Sequence, residues 1–149
     1  MNVESVWDYP RPPAVEPVAD RVRVLLAGEI VAATSAAFRV VETSHPPTYY
    51  IPPEDVAAGV LRHAERVTFC EFKGVAHYRD VVVGNTVVPA GAWLYPQPTP
   101  RYEQITGYVA FYPGLMDECW VGDDLVEAQP GSFYGGWITP RIRGPFKSR

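Results

Sequence analysis

The stretch Val75-Ala-His-Tyr-Arg-Asp-Val-Val-Val83-Gly84-Asn85-Thr86-Val87-Val88 decides the fold class. A run rich in β-branched and aromatic side chains meets Gly-Asn, a dipeptide that supplies the positive φ angles of a tight hairpin, and Thr86-Val-Val returns from it. Val67 to Phe72, just upstream, has the same composition and reads as the strand before. Moving toward the N-terminus, Arg21-Val-Arg-Val-Leu-Leu26, Ala27-Gly28-Glu29 and Ile30-Val-Ala32 form a second hairpin signal, and Ala37 to Glu42 a further strand. Toward the C-terminus, Trp93–Tyr95, Tyr108–Tyr112 and Glu118–Val121 read as strands, and Gly122-Asp123 closes the last hairpin.

Helical signals are few. Pro53-Glu54-Asp55 resembles a first helical turn running briefly through Val56, Val60 and Leu61, and Arg101 to Ile105 fits a single turn. Thr43 to Pro53 carries four prolines, which forbid a central strand, and is expected to be a structured loop. The prolines of Trp7-Asp-Tyr-Pro-Arg-Pro-Pro13 exclude helix and favour an extended arm. About eight short strands with regular turn signals predict an all-β, antiparallel fold, a compact sandwich or barrel-like arrangement with one or two short helices. At 149 residues the chain is expected to be a single domain over 1–149, with an N-terminal arm over 1–20 and a Gly/aromatic tail over 128–149 packed on it.

Composition narrows the function classes. The chain is 47% apolar and 20% charged, ordinary for a globular protein. A net charge of −4 and scattered arginines give no basic stripe, so nucleic acid is not an expected partner. The small basic group Arg141, Arg143, Lys147 and Arg149 reads as a solvated tail. Cys70 and Cys119 lie in apolar strand-like stretches, so reduced thiols are expected. The acidic, Pro-rich start differs from a signal peptide, and no window approaches the roughly twenty apolar residues of a membrane span. These features predict a cytoplasmic protein with no membrane partner.

Several groups could carry chemistry. In Thr68-Phe-Cys-Glu-Phe-Lys73 taken as a strand, Cys70 and Lys73 point apart, and a bulge near Lys73-Gly74 would bring them together. A thiol beside an ammonium becomes a better nucleophile, whereas a buried free cysteine is an inert small hydrophobe; both readings stand. Glu42-Thr-Ser-His45 places a carboxylate, two hydroxyls and an imidazole on a proline-stiffened loop, suited to acid–base work. The same residues also suit backbone turn chemistry, with Thr43 and Ser44 capping and His45 making one structural hydrogen bond. His45, His63 and His77 are scattered and no Cys-x-x-Cys exists, so no metal is expected. No Gly-rich phosphate cradle is present, and no cofactor is expected. The many aromatics either line a cleft or build the core.

At Glu42-Thr-Ser-His45, Tyr49-Tyr-Ile-Pro52, Cys70-Glu-Phe-Lys-Gly-Val-Ala-His-Tyr78, Ala92-Trp-Leu-Tyr-Pro96 and Val109-Ala-Phe-Tyr112, the chain resembles family 427 of the domains of unknown function. These motifs stand in the family's order and span most of the chain, and the ends resemble those of its longer bacterial members. The resemblance implies a small all-β fold of the tent-like kind, two antiparallel sheets meeting at an angle, and brings no established activity. A nucleotidyltransferase-like label sometimes attached to the family finds little support here, because Gly131-Ser132 is not followed by the paired aspartates that such chemistry needs.

The leading expectation is a small-molecule pocket walled by Tyr49, Tyr78, Trp93, Tyr112 and Trp137, with Glu42, His45, Cys70 and Lys73 as its polar groups. As an enzyme, His45 would be the acid–base group, Lys73 the anion anchor and Cys70 the nucleophile. The alternative is a non-catalytic interaction module, such as a homodimer that buries the Trp7 arm. Convergence of Glu42, His45, Cys70 and Lys73 on one cleft favours the pocket; dispersal with an exposed apolar patch favours the partner surface.

Overall fold

A computed structural model describes residues 2–130 and 135–146. In chain order the strands are β1 (Glu4–Ser5), β2 (Ala14–Pro17), β3 (Val22–Leu26), β4 (Glu29–Thr34), β5 (Phe38–Val41), β6 (Thr48–Tyr50), β7 (Leu61–Cys70), β8 (Gly74–Val83), β9 (Thr86–Leu94), β10 (Val109–Phe111), β11 (Glu118–Val121), β12 (Asp124–Leu125), β13 (Glu127–Ala128), β14 (Trp137–Ile138) and β15 (Ile142–Arg143). Single 3-10 turns lie at Val6–Asp8, Pro53–Asp55 and Pro113–Leu115, and a longer 3-10 segment at Pro100–Ile105. The fold is all-β with short helical turns.

The β8–β9 hairpin turns at Gly84 with φ 56° while Asn85 stays out of the left-handed region, the pattern of a type II′ turn. The β3–β4 hairpin turns at Ala27 and Gly28, both at positive φ. Sheets of order β10-β9-β8-β7 and β2-β5-β6 are joined where Ile51 and Val109 exchange two backbone hydrogen bonds of 2.8 Å. Together they make one long layer, and β12-β11-β3-β4 packs as a second.

Side chains alternate along a strand, so the long layer has two apolar faces and two cores. Tyr49, Ile51, Val81, Ala92, Val109 and Phe111 meet Val22, Val24, Cys119 and Val121 of the second layer. Their neighbours Tyr50, Tyr78, Trp93, Tyr95 and Ala110 point the other way and are covered by Tyr102 and Ile105 of the 3-10 segment. Burial on both faces explains why β10 and residues 90–94 of β9 read as continuous apolar runs rather than as clean alternation.

Five expectations change. Thr48–Tyr50 is a strand inside the predicted loop: Pro46, Pro47, Pro52 and Pro53 bracket it, and none of the paired residues is a proline. The helix expected after Pro53 stops at Asp55, and Leu61 already opens β7. Trp93 belongs to the same strand that begins at Thr86 and ends at Leu94. The N-terminal arm holds β1, paired parallel with β15, and β2, paired with β5. Arg141 is no solvated tail residue; it bonds Asp20 at 2.6 Å and Asp124 at 2.8 Å. Phe133, Tyr134 and Lys147 lie outside the described residues.

Candidate functional site

The β5–β6 pair separates two recesses. Val40 lies opposite Thr48, and both line a small recess of about 120 Å³. Arg39 lies opposite Tyr49, and both line a cleft of about 460 Å³ on the other face. One strand pair thus supplies two sites of different chemistry, because a one-residue step reverses the side-chain direction.

Glu42 and His45, read from one motif, and Lys73, read from another, meet in the small recess with Pro46, Gln129 and the Gly135-Gly136 backbone. The loop from Glu42 is held by the N-terminal arm: Thr43 donates through Oγ1 to the Tyr9 carbonyl at 2.5 Å, and the Ser44 amide donates to the Val6 carbonyl at 2.9 Å. Ser44 sits at φ 73°, which turns the chain so that the His45 amide reaches the Glu42 carbonyl at 3.0 Å. His45 Nδ1 lies 2.9 Å from the Thr43 carbonyl; a carbonyl only accepts, so Nδ1 carries the proton and Nε2 is left as an acceptor in the neutral ring. The turn chemistry and the imidazole's placement are therefore one device. Glu42 is held by Arg11 at 3.1 Å.

Lys73 stands in the turn between β7 and β8, its Nζ 5.9 Å from the Tyr95 ring centroid. Among the described residues no carboxylate lies within ion-pairing distance of it. Cys70 does not line the recess among the described residues; it packs, partly buried, against the aromatic cluster of the same face. Cys119 is buried in the other core, where desolvation pushes its thiol up to about 12.

The five expected wall rings are all buried. Tyr78, Trp93 and Tyr112 form one cluster with Tyr50 and Tyr95 behind the small recess; Trp93 and Tyr112 centroids are 4.5 Å apart, and the Tyr78 and Tyr112 hydroxyls meet at 3.2 Å. Burial pushes the Tyr50, Tyr95 and Tyr112 hydroxyls well above the usual tyrosine range. Trp93 also packs under Gly135, where an added Cβ would collide with the indole. Tyr49 and Trp137 belong to the other core, their centroids 4.9 Å apart, and Tyr49 lines the larger cleft.

The cleft residues Arg39 and Arg141 were missed by sequence reasoning. Arg39 bonds Glu4 through two parallel contacts of 2.9 and 3.0 Å and Glu16 at 2.9 Å. Its position between Phe38 and Val40 in an apolar strand was the available signal, since an inward-facing arginine needs a carboxylate partner.

No group of three or more His, Cys, Asp or Glu side chains among the described residues is arranged to hold a metal ion. No helix among them is long and apolar enough to cross a membrane. No curated protein matches the chain. The family described as Domain of unknown function (DUF427) matches residues 14–122, a span that contains β2 to β11 and ends before the Gly135-Gly136 strap. That match covers well over half of the 149 residues, and the chain belongs to the DUF427 family.

Proposed function

We propose that the small recess binds a small molecule by an anionic end group. The observation that supports this reading is Lys73, an ammonium without a carboxylate partner among the described residues, lining the same recess as His45. A volume of about 120 Å³ is well below the roughly 300–1,000 Å³ of sites that enclose a whole small ligand. It suits a carboxylate or phosphate group, with the rest of the ligand extending outward. In this reading Lys73 anchors the anion, His45 Nε2 accepts from or exchanges a proton with the bound group, and Glu42, tied to Arg11, orients the loop. The cluster around Trp93 and Tyr95 forms an apolar floor that strengthens the Lys73 charge by excluding water.

A thermal-shift screen of carboxylates, phosphorylated metabolites and nucleotides tests it. A ligand binding only the native state at a hundred times its dissociation constant adds about 2.7 kcal/mol. Hits that vanish in Lys73→Met and weaken in His45→Ala support the site. Silence across the library, or hits indifferent to both substitutions, removes it.

A second reading rests on Phe69, which is 76% exposed on β7, the free edge of its sheet. Val67 and Val75 are also exposed, and Val75 stands opposite Phe69. A free edge with an apolar patch is a pairing surface for a second copy. Under this reading, sedimentation shows a dimer that Phe69→Glu converts to monomer.

A further inference from the structure

We infer that the ligand of the small recess is a free α-amino acid, held at both of its charges. This rests on the reading of the recess as an anion site and narrows the end group that it takes.

The lining carries two opposite charges that do not pair with each other. Lys73 and Glu42 both border the recess, yet among the described residues Lys73 enters no ion pair, and the Glu42 side chain bonds only Arg11, through Oε2 at 3.1 Å. Arg11 is half exposed, so solvent screens its pull and the Glu42 charge is offset only in part. The second carboxylate oxygen, Oε1, has no donor among the described residues. His45 adds another acceptor, because Nδ1 spends its proton on the Thr43 carbonyl and Nε2 keeps a lone pair.

A bare carboxylate or a phosphate dianion answers half of this lining. It satisfies the Lys73 ammonium, but its other oxygens only accept and meet a carboxylate and a lone pair that also only accept. A ligand with an ammonium beside its carboxylate answers both halves: the carboxylate pairs with Lys73, and the three N–H donors serve Glu42 Oε1 and His45 Nε2. Size sets the spacing of the two charges. A recess of about 120 Å³ encloses an ammonium and a carboxylate on the same carbon, with the side chain outside, and has no room for the longer chain of an ω-amino acid. The C-terminus of a peptide lacks the ammonium, so the amino acid is free.

An NMR titration of the isotope-labelled full chain with L-alanine, acetate, glycolate, ethylamine and 4-aminobutanoate tests the inference. L-Alanine should shift the His45, Lys73 and Gly136 amides saturably, with acetate and glycolate about tenfold weaker and the other two without effect there. Lys73→Met should abolish binding of alanine and acetate alike. Glu42→Gln should bring alanine down to the level of acetate, and retained acetate binding shows that its recess is intact. The ligand order in the unsubstituted chain is decisive by itself, whether or not a variant folds. Acetate binding as tightly as alanine overturns the amino acid and leaves the anion reading standing; glycolate matching alanine overturns it by putting a hydroxyl in place of the ammonium. An alanine preference that survives Glu42→Gln overturns it too, and no binding of alanine or acetate removes both readings.

Discussion

Arg39 stands directly opposite Tyr49 across the β5–β6 pair, and their side chains share the larger cleft while Val40 and Thr48, one residue away, face the smaller recess. Arg39 also joins three segments, because Glu4 lies on β1 and Glu16 on β2. Arg39→Met therefore leaves two carboxylates without their partner and loosens the N-terminal arm. The expected cost is about 1–3 kcal/mol, between that of an exposed pair and a buried one. Urea unfolding checks it, with increased proteolysis before Pro17 as the structural signature.

Acid should weaken the same junction. The Arg39 hydrogen bond, aided by Tyr9, holds the Glu4 carboxyl below its ordinary 4.5. A carboxylate with a depressed native pKa contributes stability that is full above its unfolded value and lost as pH falls through the native one. Unfolding free energy should decline as pH drops below about 4.5, and Glu4→Gln should flatten part of that slope while lowering stability at pH 7. An unchanged slope in the variant would mean that other carboxylates carry the acid response.

Base should act through the tyrosines. Burial raises the hydroxyls of Tyr9, Tyr49, Tyr50, Tyr95, Tyr102 and Tyr112. Unfolded tyrosines ionise near pH 10, so above that the unfolded chain sheds protons that the native chain keeps, and stability falls as pH rises. Tyrosinate absorbance should show only a minority of the nine tyrosines titrating near pH 10 before the chain unfolds, with the rest appearing together at the unfolding pH.

The two thiols should separate kinetically. Cys70 is partly exposed near the end of β7, whereas Cys119 is buried and its thiol pushed up to about 12. A disulfide reagent at pH 8 should label Cys70 in the native protein and Cys119 only on unfolding. Equal labelling rates would contradict the packing of β11.

Gly135 packs on the Trp93 indole, which Tyr112 fixes from another side. Gly135→Ala forces the strap or the ring to move, at about 1–3 kcal/mol, and should shift the tryptophan emission. The strap also borders the small recess, so any ligand found there should bind more weakly to this variant.

The residues alone determined the class of fold, because β-branched runs, the Gly84-Asn85 and Gly122-Asp123 turns and the proline punctuation act within a few positions of each other. They also singled out Glu42 and His45, as acid–base groups on a proline-stiffened loop, and Lys73, as a cation beside Gly74 at the end of a strand. Three things were decided only by tertiary structure. Thr48–Tyr50 became a strand because β5 and Val109 offered backbone partners that no local propensity records. Tyr49 and Tyr50 were divided between two cores because the layer that carries them is covered on both faces. Arg39 and Arg141 became the anchors of a cleft because carboxylates up to 121 positions distant were brought beside them. Local sequence specifies dihedral preference and side-chain alternation; which face meets which partner depends on long-range pairing, and that is where the chemistry of both recesses was set.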